Sequence, residues 1–529
     1  MLRNLLIASV GVVFFVSQLS WGQGSMGTIS GAVRDASGAV IPRVAVTLTN
    51  LDTGITRTVT TNAQGRYNAP TLPLGNYQVR AEVAGFQAGV RTGIVLTVGQ
   101  EAVVDFALRV GEVTQTVEVT GEAPLVETTS GAVSGLVGEQ QMRDLPLNGR
   151  SFDQLIALQS GTILLTTSGS GSFNHGGGKQ YSIHGARGRS NKFYQDGIEV
   201  SGPGSTSDQP GSMAGLNLGV EAIREFRVLT NSYSPEYGKR AGAAVITVTR
   251  GGTNSFHGSA FEFLRNSALD ARNFFDRGTI PPFRRNNVGG SLGGPLRKDK
   301  TFFFMTYEGL RQSLGLSNVA VVPDQNARNG FVPGPGGTLT NVGVAPRAAP
   351  YLELYPLPNG SVLGDGTGLY FNSPAQITNE DYGLARVDHT FSDSDSAFIT
   401  YNIDRANQKR PLLVPVFANL DTTGSHVVTL AETHIFSPAL LNDLRFGFNR
   451  PTSTLVAIPQ IPLAPSVEFI PGEGFGDIVF TAGNISPLGD AVAGTFDIHN
   501  IFQVNDQVFY TRGKHSFTFG AQLQRIQRN

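Results

Sequence analysis

Few side chains in this 529-residue chain stand where catalysis would need them. Gly178-Lys179 comes nearest to a phosphate-binding loop, which needs a glycine five places before Gly178 and a hydroxyl residue after the lysine; Phe173 and Gln180 occupy those places. The 8 His residues form no His-x-x-x-His pair and Cys is absent, so zinc and thiol chemistry have little to draw on. Asp393 and Asp395 could open a calcium loop, but no acidic residue closes it at the twelfth place, and a hairpin turn accounts for them better. No serine lies in a nucleophile elbow. The chain reads as a protein that is not an enzyme, with no cofactor and no metal. One segment has chemistry of another kind. Residues 113–120, Val-Thr-Gln-Thr-Val-Glu-Val-Thr, alternate strictly in a β-prone run that 121–124 breaks. Such a run can add itself to the sheet edge of another protein, or be one more strand of the domain before it.

The elements around this segment read mainly as β. Between 27 and 110, short alternating runs are separated by turn residues roughly every 8–12 places, the pattern of a small β-sandwich. Ile29, Gly31 and Val33 share one face of a strand, as do Val44, Val46 and Leu48, then Tyr77, Val79 and Ala81, then Ile94 and Leu96. Residues 124–250 mix short helices, strands and loops. A capping box at Ser151 and Gln154 predicts a helix carrying Leu155 and Ile156, and a second short helix is expected over 221–226. Two Gly/Ser-rich stretches, 168–180 and 201–219, read as long loops. After Gly251 the alternation becomes two-faced: Ile399 and Tyr401 oppose Thr400 and Asn402, and Phe446 and Phe448 oppose Arg445 and Asn449. That pattern fits a soluble sheet and a lipid-facing barrel equally. Phe391 and Tyr510 before tight turns, with longer loops expected at 326–379 and 421–425, favour the barrel.

Composition and the N-terminus set the compartment. Charged residues make up 15% of the chain, Gly reaches 65 and Phe 33, and the formal net charge is −1 with no basic block, so nothing suggests nucleic acid. Residues 1–22 place Arg3 ahead of an apolar run from 5 to 16, then small Ser20 and Gly22, which predicts a signal peptide cleaved before Gln23. The run is shorter than the roughly 20 residues a spanning helix needs.

Longer strings carry a resemblance. Gly-Ala-Val-Arg-Asp-Ala-Ser-Gly at 31–38, Thr-Asn-Ala-Gln-Gly-Arg-Tyr at 61–67 and Pro-Leu-Gly-Asn-Tyr-Gln-Val at 73–79 resemble the carboxypeptidase regulatory-like sandwich, an accessory fold sometimes linked to carbohydrate binding. Further on come Leu-Pro-Leu-Asn-Gly-Arg-Ser-Phe at 145–152, Tyr-Ser-Ile-His-Gly-Ala-Arg at 181–187, Asp-Gly-Ile at 196–198 and Tyr-Ser-Pro-Glu-Tyr-Gly at 233–238. With Val-Thr-Arg-Gly-Gly-Thr-Asn at 248–254 and Phe-His-Gly-Ser-Ala-Phe-Glu-Phe-Leu-Arg at 256–265, they resemble the TonB-dependent outer-membrane receptors of the Oar-like branch.

The resemblance implies a mainly β chain: signal peptide 1–22, β-sandwich 27–110, TonB box and linker 111–123, α+β plug 124–250, and over 251–529 the N-terminal part of an antiparallel transmembrane β-barrel. Thr116, Val117, Glu118, Val119 and Thr120 fall where the TonB box belongs, and would pair by strand addition with a periplasmic energy-coupling protein. His184 stands where the family has arginine in Ile-Arg-Gly; with Arg187, Arg189 and Asp196 it makes the expected set of plug charge contacts. Asn174, His175, Lys179 and Asp208, on the two glycine-rich loops, are the expected substrate contacts. Family barrels use roughly twice as many strands as 251–529 supplies, so the chain reads as a fragment of a longer protein. The function implied is energy-coupled uptake at the bacterial outer membrane, with siderophore, carbohydrate and peptide all fitting as substrate. The alternative is a non-transporting surface adhesin or carbohydrate-binding β-protein.

Overall fold

The computed structural model describes residues 26–111, 116–120, 131–145, 147, 149–165, 180–200, 218–239, 241–272, 280–472, 475–480, 484–489, 494–513 and 515–528. The expected signal peptide and the four expected substrate contacts lie outside the described residues.

The N-terminal alternation folds into two packed sheets. One runs Thr56–Thr60, Ala45–Asn50, Gly75–Glu82, Ala88–Leu96, Thr116–Thr120; the other joins Arg66–Leu72 to Gly27–Asp35, which also takes Glu101–Val103 and Phe106–Leu108 in parallel. Alternate residues of each strand meet between the sheets, where Ile29, Val33, Val46, Leu48, Val79 and Ile94 are buried. Each such aliphatic side chain contributes about 1.5–3 kcal/mol by leaving water. Tyr67 ties the two sides of the second sheet together across Gly27–Asp35 by donating its hydroxyl to the Val104 carbonyl at 2.6 Å.

The middle of the chain forms a five-stranded sheet in the order Val133–Gly138, Ile223–Asn231, Ala244–Thr249, Lys192–Gln195, Ile198–Glu199. The last two strands are a hairpin whose Asp196 and Gly197 both have positive φ, 50° and 81°. An Asp-Gly pair is what a two-residue turn matched to strand twist demands. Of the two expected helices, the first forms without its capping box and the second is mostly strand. Phe152–Leu158 is a tight 3-10 helix, and Ser151 donates to the Asp153 carboxylate instead of capping its amides. Over 221–226 only Val220–Ala222 is helical, and the apolar run from Ile223 is taken by the sheet.

Residues from 257 onward form a nine-stranded antiparallel meander, each strand beside its chain neighbour: His257–Asn266, Phe283–Arg297, Thr301–Gly315, Ala375–Thr390, Asp395–Pro411, Phe417–Ser437, Leu440–Pro459, Thr495–Arg512 and His515–Arg528. Connections alternate between short turns at one end (298–300, 391–394, 438–439, 513–514) and longer segments at the other (267–282, 316–374, 412–416, 460–494). The loop expected at 421–425 is instead the interior of the 21-residue strand Phe417–Ser437. Its Asp421 and Thr423 point inward and are buried, so their polarity marks a face and not a loop. At the long-loop end, Ala320, Val322, Tyr355, Phe417 and Leu488 share a core that orders the connections.

Exposure along these strands is inverted relative to a soluble sheet. Ile399 is 46% exposed and its neighbour Thr400 1%; Phe446 is 46% exposed and Arg445 1%; Phe502 is 45% exposed and Gln503 2%. Apolar side chains face out and polar ones in, as in a barrel wall set in lipid. Phe391, Phe436, Tyr510 and Phe517 crowd the short-turn end of the outer face, the place of an aromatic girdle.

Candidate functional site

Inside this wall sits the middle domain, and the polar inner face is where it is held. The two share one apolar core, with Phe226, Val228 and Ile223 packed with wall residues Phe304, Leu310, Tyr382 and Leu384. Around that core, three groups of buried charges join plug to wall.

The first centres on Arg150. Its guanidinium lies 3.3 Å from Glu221 and 3.2 Å from Glu308 of the wall, and stacks over Phe261 and Phe263 at 4.0 and 4.7 Å to the ring centroids. Glu308 also accepts the Gly219 amide at 3.1 Å and Asn287 Nδ2 at 3.3 Å. A planar, always charged fork is what two carboxylates and two aromatic faces together call for.

The second is built on the hairpin turn. Asp196 is buried and accepts the Thr249 amide at 2.9 Å and the Thr249 hydroxyl at 2.8 Å. Arg386 of the wall approaches within 3.6 Å while pairing with Asp388 at 2.7 Å. Arg445, paired with Asp443 at 2.6 Å, donates to the Asp196 backbone carbonyl at 2.8 Å.

The third lies along the same hairpin. Lys192 and Lys239 both bind the Glu199 carboxylate, the latter at 2.9 Å. Burial pushes that carboxyl upward, but the two ammonium groups outweigh it and hold it below the usual range. Wall side chains then satisfy the hairpin backbone. Gln503 pairs with both backbone groups of Glu199 at 3.1 and 2.6 Å, Asn505 donates to Gly197 at 2.8 Å, and Asn449 donates to Val200 at 3.2 Å. Glu236 accepts Gln507 Nε2 at 3.1 Å, and its burial pushes its pKa up to about 7. Charges taken from water are tolerable only when paired in this way, so the plug and wall fit each other specifically.

Of the three expected plug contacts whose side chains are described, Asp196 stands at this interface. His184 is exposed with a left-handed φ of 49°, near Gly161. Arg187 is exposed ahead of the 3-10 turn Gly188–Ser190, and the Arg189 side chain lies outside the described residues. Reading the sequence missed Arg150, Lys192, Glu199, Glu308, Arg386 and Arg445. The usable signal was parity: Arg386 and Arg445 occupy the same face of their strands as polar neighbours whose alternates are apolar.

The sandwich closes on the short-turn end. Asn62 donates to the Gly513 carbonyl at 2.7 Å, Asn68 to Ser516 at 3.2 Å, and Asn254 Nδ2 binds the Thr53 carbonyl and Asp299, each at 2.6 Å. Leu74 and Val98 are buried with plug residues Tyr194, Leu229, Tyr237 and Ile246. The expected coupling segment, Thr116–Thr120, lies parallel to sandwich strand Ala88–Leu96 as the last strand of its sheet.

Comparison with known proteins follows this division. Residues 248–529 match the family described as an outer membrane beta barrel domain, 28–109 a carboxypeptidase regulatory-like domain, and 126–245 a TonB-dependent receptor plug domain. The TonB-dependent transporter Oar of Myxococcus xanthus is 29% identical over 293 residues, covering 52% of this chain and 26% of that protein. Among solved structures, the outer membrane transporter YddB from Escherichia coli is similar with a TM-score of 0.49 and 11% identity, over 74% of this chain and 48% of that one. The siderophore receptor PirA from Acinetobacter baumannii gives 0.45 and 14%, over 75% and 48%. The chain thus spans about a quarter of the curated relative it matches and about half of each of these structures.

Proposed function

This chain belongs to the outer membrane beta barrel domain family, and on that premise we propose that it serves as a TonB-dependent transporter of the bacterial outer membrane. The observation that carries the reading is a plug domain held by buried charge pairs inside a wall whose apolar side chains face outward. A wall of that polarity suits lipid, and a plug fixed by ion pairs is a stopper that can be dislodged as a unit. The soluble-adhesin alternative would have to leave Ile399, Phe446, Phe502 and their outer neighbours in water.

In this reading 1–22 is a cleaved export signal, and substrate meets the long-loop end. A periplasmic coupling protein pairs with Thr116, Val117, Glu118, Val119 and Thr120 and pulls. Siderophore, carbohydrate and peptide remain the substrate classes that fit. The glycine-rich loops holding Asn174, His175, Lys179 and Asp208 are the proposed contacts, and the sandwich is an accessory module at the periplasmic face.

The test is fractionation of the full-length gene product, followed by gel mobility before and after heating. A heat-shifting band in the outer membrane supports the reading, as does coupling-protein capture that Val117→Pro and Val119→Pro abolish. A soluble product with no heat shift defeats it.

A further inference from the structure

In the sandwich sheet, Thr116–Thr120 is paired on one side only. Ala88 stands opposite Thr116, Val90 opposite Glu118, Arg91 opposite Val119 and Thr92 opposite Thr120, and no described strand lies on its other side. A strand's backbone donors and acceptors alternate between its two edges, so half of this segment's groups are already satisfied and half face outward. The host strand Ala88–Leu96 continues directly into the turn at 97–100, which grips the plug. There the Val98 amide donates to the Glu225 carboxylate, and Arg227 donates to the Thr97 hydroxyl at 3.3 Å. Glu225 and Arg227 belong to Ile223–Asn231, a strand inside the plug sheet. Segment, host strand and plug sheet are therefore joined by hydrogen bonds in series, at the short-turn end of the wall.

Resting on the reading of Thr116–Thr120 as the coupling segment, we propose that the sandwich presents it as a preformed edge strand. A strand of the periplasmic coupling protein adds to its outer edge while its inner edge stays on Ala88–Leu96. The sheet then grows by one strand, and the pull passes through Ala88–Leu96 and the turn at 97–100 into the plug, as well as along the chain. Templating removes the ordering cost that a loose peptide meets when it binds. The occupant must be an extended strand, because what is offered is a row of backbone groups continuing an existing sheet.

The chain contains no Cys, so an engineered pair reports this geometry without background. Arg91→Cys with Val119→Cys, in the full chain, would bridge the two strands at facing positions, and Thr92→Cys with Thr120→Cys provides an independent second pair. The partner is the purified periplasmic domain of the same bacterium's TonB-type coupling protein, and each variant is compared oxidised and reduced. We expect the bridge to close without partner, and the oxidised form to bind within about threefold of the reduced form. A bridge that closes and weakens binding by roughly tenfold or more overturns the proposal, because the segment would have to leave the sandwich to be used. Failure of both pairs to close also overturns it. If the unmodified chain does not bind the partner, or binds it regardless of Val117→Pro and Val119→Pro, the reading of the segment itself is what fails.

Discussion

Removing the carboxylate of Asp196 tests whether the hairpin turn that meets the wall is fixed as described. In Asp196→Ala the Thr249 amide and hydroxyl lose acceptors at 2.9 and 2.8 Å in a site closed to water. Hydrogen bonds to a charged acceptor are each worth about 1.5–3 kcal/mol. The 3.6 Å approach of Arg386 adds little, since that guanidinium keeps Asp388 at 2.7 Å. The backbone carbonyl that receives Arg445 is retained. Both bonds lie within the plug, so the sum is about 3–6 kcal/mol of local stability at the turn that meets the wall, which raises the opened fraction of this turn roughly 10²–10⁴-fold. Hydrogen exchange of the 244–249 amides in detergent-solubilised protein reads that fraction directly. Asp196→Asn keeps one acceptor and should fall between wild type and Asp196→Ala. Exchange rates for Asp196→Ala within about threefold of wild type would refute the idea that this carboxylate fixes the turn.

Three further outcomes follow from the same geometry. Glu236 has a folded pKa near 7 against an ordinary 4.5, so its contribution to docking is full below about 4.5 and is lost as pH rises through 7. Glu236→Gln, which still accepts from Gln507, should dock about 3 kcal/mol more firmly than wild type at pH ~8.5 and equally at pH ~4, read by the same exchange. Arg150→Lys loses the fork that reaches both Glu221 and Glu308 and the stacking on Phe261, and should weaken docking by about 1–2 kcal/mol; an unchanged exchange rate would count against that arginine's role. Phe446→Arg places a charge on the lipid face and should cost about 2–4 kcal/mol of wall stability near mid-bilayer, seen as loss of the heat-shifting species; full assembly would contradict the assigned face.

Most strands were legible because alternation with period two survives whichever side is wet. Which side is wet was not legible, since Ile399 and Thr400 read the same in a soluble sheet and in a lipid-facing one. Polarity misled for a related reason at 421–425, where Asp421 and Thr423 line an inner face that meets other polar groups. The helix expected after Ser151 forms as a 3-10 helix, but its capping box failed because the Asp153 carboxylate takes the hydroxyl within two residues. The charged contacts were the least visible part of the site. Arg150 meets Glu308 at a separation of 158 residues and Asp196 meets Arg445 at 249, and neither residue carries a local mark of its partner. Asp196 was found only through the string that carried the family resemblance.

The plug is made before the wall that holds it. Arg150, Asp196, Lys239 and Glu236 emerge early, while Glu308, Arg386, Arg445, Gln524 and Gln507 follow later in the chain. The wall can lay down hairpin by hairpin, because each strand's neighbour is its successor in sequence. The plug has no such route. Its core lacks Phe304, Leu310, Tyr382 and Leu384, and its ions stay in water, until those strands exist. Order in the chain and order of folding are thus opposite: the earlier-made plug is the client, the later-made sheet is its chaperone, and the charges that fix the plug in the wall are also what keep it unfinished until that wall exists.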